Sequence, residues 1–86
     1  MLEIVPSYQF KRDLKLAQKR GYKIKHLHDV VNKLAAGQKL KSKYCDHNLT
    51  GEYQGFWKCH IEPDGLLVYR IEEDVLELFL FRTGTL

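Results

Sequence analysis

The chain has 86 residues and a mass of 10.1 kDa, with 44% hydrophobic, 12% aromatic and 29% charged residues, so one small globular domain is expected rather than two or a disordered tail. No apolar run exceeds four residues, far short of the roughly 20 that cross a bilayer, and the N-terminus lacks the basic and long apolar segments of a secretory signal; a cytoplasmic protein is expected. Cys45 and Cys59 are the two cysteines, too few for a disulfide scaffold, and read as thiols.

The formal net charge of +3 is unevenly spread: residues 1–46 hold 11 Lys and Arg against 4 Asp and Glu, and residues 47–86 hold 3 against 7. A basic half attracts polyanions, of which nucleic acid is the commonest in a cytoplasm. The same lysines also suit a helical surface kept soluble by charge.

In chain order, Leu2 to Val5 is short and apolar and is closed by Pro6, which predicts a first strand. Ser7 then offers a side-chain oxygen to cap a helix through KRDLKLAQKR, where Phe10, Leu14 and Ala17 recur at helical spacing, and Gly21 ends it. A second helix is predicted from Lys23 to Ala36, with Ile24, Leu27, Val31 and Leu34 on one stripe, Val30 widening it and Gly37 as its stop. The polar stretch from Gln38 to Gly51 loses this period and is longer than most loops, which makes it a candidate for function.

Three strands follow. In Phe56 to Glu62 the twofold alternation sets Trp57, Cys59 and Ile61 on one face and Phe56, Lys58, His60 and Glu62 on the other. Glu62-Pro63-Asp64-Gly65 carries turn residues where a tight hairpin into LLVYRI wants them. An acidic turn, EED, leads to VLELFLFR, with Leu76, Leu78, Leu80 and Arg82 on one face and Val75, Glu77, Phe79 and Phe81 on the other. Apolar residues on both sides predict a central, covered strand. Trp57, Tyr69, Phe79 and Phe81 are expected in the core, and His26 and His28 on the surface of the second helix. The fold class is α+β: an N-terminal strand, a helical hairpin, then a three-stranded antiparallel meander, with the helices laid against one face of the sheet.

His47, His60, Asp64 and Arg82 fall in the connector, on the polar strand face, in the hairpin turn and at the end of the last strand. Imidazole and carboxylate can move a proton between a ribose 2′-hydroxyl and a leaving oxygen near neutral pH, and a guanidinium can neutralise charge growing on a phosphate. That set fits RNA cleavage with no metal or other cofactor required. A zinc module built from Cys45, His47, Cys59 and His60 has suitable ligand types, but neighbouring strand residues point to opposite faces, so Cys59 and His60 do not readily meet one metal.

The ordered series K-Y-x-D-H-x-L-x-G, C-H-x-E-P-D, L-L-V-Y and R-T-G-T, together with the early DLKLAQKR, resembles the YafQ branch of the RelE/ParE toxin superfamily over nearly the whole chain. The resemblance implies a RelE-like microbial ribonuclease-type fold and a ribosome-dependent mRNA interferase that cuts in the A site. It places His47, His60, Asp64 and Arg82 in the catalytic set. Leu86 stands where the family carries a histidine taken as a proton donor or acceptor, and Gly65 where some relatives carry a bulky residue. A leucine cannot transfer a proton, so the resemblance implies weakened cleavage with fold and ribosome binding kept.

Lys11, Arg12, Lys15, Lys19, Lys39, Lys41, Lys43 and Lys58, with Phe56 beside His60, are the candidates for gripping RNA or ribosome. The resemblance further implies a cognate antitoxin with a ribbon-helix-helix DNA-binding end and a wrapping C-terminal segment, in a heterotetramer that meets operator DNA only through the antitoxin. A catalytically inactive homologue that still binds antitoxin is the alternative.

Overall fold

The computed structural model describes residues 1–22, 24–40, 46–49, 51, 54–62 and 65–85, with the backbone alone at positions 47, 62 and 85. Strand β1, Glu3–Pro6, leads into helix α1, Tyr8–Lys19, and helix α2, Ile24–Ala35. A two-residue strand β2, His47–Asn48, precedes β3, Trp57–Glu62, β4, Gly65–Glu72, and β5, Glu77–Thr85.

Ser7 does cap α1: its hydroxyl oxygen accepts the Phe10 N–H at 2.9 Å. The same hydroxyl donates to the Phe81 carbonyl at 2.7 Å, so one side chain both starts the helix and ties it to β5. At the end of α2, Gly37 lies at φ +79°, where an L side chain is strained, and the Gly37 and Gln38 N–H groups return to Leu34 and Lys33 carbonyls.

The meander expected from sequence is present as β3, β4 and β5, and it is extended on both sides. The five strands are ordered β1-β5-β4-β3-β2, with β1 parallel to β5 and the rest antiparallel. β5 is therefore interior over its first half, flanked by β1 and β4. The core lies between the helices and one sheet face, where Phe10, Leu27, Val30, Val31, Leu34 and Ala35 meet Cys59, Leu67, Tyr69, Leu78 and Leu80. Leu14, Trp57 and Ile61 pack at its margin. His26 and His28 are exposed on α2.

Three expectations about the last strand need correction. β5 begins at Glu77, because Glu73–Val75 form a single 3-10 turn and Leu76 sits in the left-handed region at φ 54°; Val75 and Leu76 are both exposed. Phe79 and Phe81 are half-buried and lie outside the core cluster, in a second cluster with Phe56 at ring separations of 6.4 and 4.9 Å. The Arg70 guanidinium lies 4.9 Å from the Phe56 ring centre and 5.6 Å from that of Phe79, a cation–π arrangement. Apolar residues on both faces of β5 thus mark two separate clusters. Finally, the β4–β5 register shifts between Val68, opposite Arg82, and Tyr69, opposite Leu80. Phe81 falls between these two registered pairs, and the shift breaks the alternation that would have set Arg82 in the Leu78–Leu80 row.

Candidate functional site

β1 ends at Pro6, so β5 loses its parallel neighbour after Leu80 and needs other partners for its outer edge. The chain that follows β1 supplies them. Ser7 N–H donates to the Leu80 carbonyl at 2.8 Å, Ser7 Oγ to the Phe81 carbonyl, and further along α1 the Asp13 carboxylate accepts the Thr83 N–H at 3.2 Å. This edge is where Arg82 emerges.

Arg82 is gripped by the same carboxylate. Its Nε donates to Asp13 Oδ2 at 3.0 Å and its Nη2 to Oδ1 at 3.4 Å, while Gln9 Nε2 donates to Oδ1 at 3.1 Å. The Asp13 side chain is 10% exposed and that of Arg82 51%, so the pair spans from interior to surface. Burial alone would raise the Asp13 pKa, but hydrogen bonds from Arg82, Gln9 and the Thr83 N–H outweigh it and leave it lowered. The carboxylate therefore stays ionised at neutral pH.

The sheet register places the other candidates relative to Arg82. His47, Lys58, Val68 and Arg82 oppose one another in a row across β2, β3, β4 and β5, and the next row on the same side is His60, Leu66 and Gly84. Strand spacing and rise put the His60 and Arg82 Cα positions on the order of 12 Å apart. His60 is half-buried in β3. His47 takes part with its backbone in β2, a two-residue strand within the stretch expected as a loop. The side chain of His47 and the whole of Asp64 and Leu86 lie outside the described residues.

His47 has an anchor one residue upstream. The buried Tyr69 hydroxyl donates to both oxygens of Asp46, at 2.7 and 2.8 Å. Burial, and then the Asp46 carboxylate, push the Tyr69 hydroxyl pKa up, so it stays a donor.

Of the RNA-gripping candidates, Lys11, Arg12, Lys15 and Lys19 are exposed on α1 and Lys39 is exposed after α2, whereas Lys58 is half-buried. Phe56 is half-buried in the aromatic cluster with Phe79 and Phe81. Lys41 and Lys43 lie outside the described residues. Of the zinc candidates, Cys45 also lies outside them, and Cys59 is fully buried in the core, where burial, then Asp46, push its thiol up to about 12. A thiol held protonated in this way is a poor metal ligand.

Asp13 is the site residue that reading the sequence missed. Its signal was present: Asp13 falls between Phe10 and Ala17, three and four residues away, on the buried stripe of α1, and a carboxylate there demands a charged partner.

Two helices lie on one face of a small mixed sheet, with an anchored arginine where β5 loses its parallel neighbour. Over residues 2–86 the sequence matches the family described as "Bacterial toxin of type II toxin-antitoxin system, YafQ". It is 36% identical over 84 residues to the mRNA interferase toxin YafQ of Escherichia coli strain K12, covering 96% of this chain and 89% of that protein. The fold is similar to the crystal structure of a metal-bound toxin from Helicobacter pylori, with a TM-score of 0.92 and 46% identity over 99% of this chain and 94% of that one. It is also similar to a chain of the E. coli DinJ-YafQ complex, with a TM-score of 0.89 and 35% identity over 99% and 93%. The chain belongs to the YafQ family of type II toxins.

Proposed function

We propose that the chain is a ribosome-dependent endoribonuclease that cleaves mRNA in the A site by acid/base transesterification. A base among His47, His60 and Asp64 takes the proton of a ribose 2′-hydroxyl, and the oxygen attacks the adjacent phosphorus. Arg82 stabilises the charge on the five-coordinate phosphorus. The bond to the 5′-oxygen breaks, that oxygen gains a proton from an acid of the same set, and a 2′,3′-cyclic phosphate remains. These groups suffice without a metal.

The observation that carries this reading is the fixed, half-exposed Arg82 guanidinium in the register block that also holds His60. The relatives' name, mRNA interferase, supports it. Codon-dependent cleavage on programmed ribosomes tests it: the Arg82→Ala and His60→Ala variants are expected to lose most of the rate, and two unchanged rates refute the assignment. The exposed Lys11, Arg12, Lys15 and Lys19 supply the grip on ribosomal RNA, so ribosome affinity should fall steeply with salt, and a flat response removes that role.

Restraint in the cytoplasm comes from a cognate antitoxin, as in the DinJ-YafQ complexes. Its ribbon-helix-helix end would bind operator DNA, and its C-terminal segment would fold over the basic toxin to give a heterotetramer. Leu86 favours a second reading, a toxin that binds ribosome and antitoxin but cleaves slowly, because the side chain at that position carries no transferable proton.

A further inference from the structure

Among the described residues Asp13 is the one buried charged side chain. Burying a carboxylate costs several kcal/mol unless it is fully partnered, and here four N–H donors converge on it, from Gln9, Thr83 and twice from Arg82. Closing the edge of β5 requires only an acceptor for the Thr83 N–H, which a neutral amide or hydroxyl would provide. The carboxylate does something a neutral group would not: its two oxygens face the planar Nε–Nη2 side of Arg82 and fix the guanidinium plane.

Arg82 borders a cleft of about 130 Å³ lined also by Arg20, Tyr22 and Gly84. Asp13 holds the guanidinium from the helix side, and half of the Arg82 side chain is exposed.

We propose that Asp13 is a positioning residue, which orients Arg82 toward the RNA phosphate and contributes no contact to the substrate itself. The proposal rests on the nuclease reading above for its consequence and on the hydrogen bonds for its geometry. It has an electrostatic signature. Asp13→Asn makes the protein more positive, so simple charge attraction would strengthen RNA binding, whereas loss of orientation slows the chemical step.

Cleavage on programmed ribosomes should show kcat down about 10- to 100-fold in Asp13→Asn, as expected when a reacting group is misplaced by an ångström, with the half-saturating ribosome concentration unchanged or lower. Asp13→Asn combined with Arg82→Lys should be no slower than Arg82→Lys alone. A parental kcat in Asp13→Asn, losses that multiply in the double variant, or a loss confined to ribosome affinity would each overturn the proposal.

A second measurement separates its failure from failure of the nuclease reading. In 15N-labelled protein the Arg82 Nε–H signal, assigned by its disappearance in Arg82→Lys, should be protected from solvent exchange and should lose that protection in Asp13→Asn. If the parent chain cleaves nothing, the nuclease reading falls while this signal still decides whether Asp13 holds Arg82; unchanged protection refutes the anchoring. Should Asp13→Asn fail to fold, Gln9→Ala removes one brace from the carboxylate, and the expected result is a partial loss of the same protection.

Discussion

Arg82 and His47 stand at opposite ends of one register row, and an anchored carboxylate lies near each end, the two held in different ways. At the β5 edge, Asp13 bonds the arginine side chain directly and is itself buried in the α1–β5 contact. At the β2 edge, the Tyr69 hydroxyl bonds Asp46, the residue before His47, so that anchor acts one residue along the backbone. A group that only stabilises charge gains from rigid placement. A group that carries a proton between two oxygens must serve both.

This contrast can be sharpened by substitution. The largest effect is expected from neither anchor but from position 86: Leu86→His should raise cleavage on programmed ribosomes by about 10²- to 10⁴-fold, the usual worth of a positioned acid or base. No gain would mean that the histidine of the family is dispensable in this chain. Next, Arg82→Ala should lower the rate by about 10²- to 10³-fold, the scale of losing one donor to a charged transition state. Initial rates at saturating ribosome are the measurement, and a loss seen only below saturation would make Arg82 a binding residue.

Tyr69→Phe keeps the ring in the core and removes only the donor to Asp46. Unfolding in urea should show a loss of about 1 to 3 kcal/mol, the cost of a broken hydrogen bond to a charged group, and cleavage should fall less than for Arg82→Ala. A cleavage loss as large as that of Arg82→Ala would show that the two anchors are equally strict.

The smallest expected effect is on acid stability. The folded-state pKa of Asp13 is depressed, so its contribution is present above the unfolded carboxylate value and is lost as pH falls through the folded one. Melting temperature should therefore drop on acidification below about pH 4, the unfolded Asp value, and drop less steeply in Asp13→Asn. Parallel acid profiles would mean that the Asp13–Arg82 pair is not what holds the β5 edge.

The four residues proposed to do the chemistry stand out in the sequence because they carry distinctive groups inside ordered motifs. The Asp13–Arg82 pair does not, although both residues are in plain view. Asp13 lies within KRDLKLAQKR, where a charged residue reads as solvated helix surface, and only its spacing from Phe10 and Ala17 hinted otherwise. The bulge that turns Arg82 out of the core row left no mark in an unbroken LELFLFR alternation.

What the sequence determined by itself was local: Ser7 as a cap, the stripes of α1 and α2, Gly37 as a stop and the alternation of β3. Each depends on neighbours within a few residues, where period and side-chain chemistry decide the outcome. Only the tertiary structure decided that β1 joins β5 in parallel, that Phe79 and Phe81 leave the core for Phe56, and that Asp13 meets Arg82, 69 positions away. Those contacts depend on how elements pack, because a buried carboxylate and an exposed edge find each other only once both have been brought to the same place.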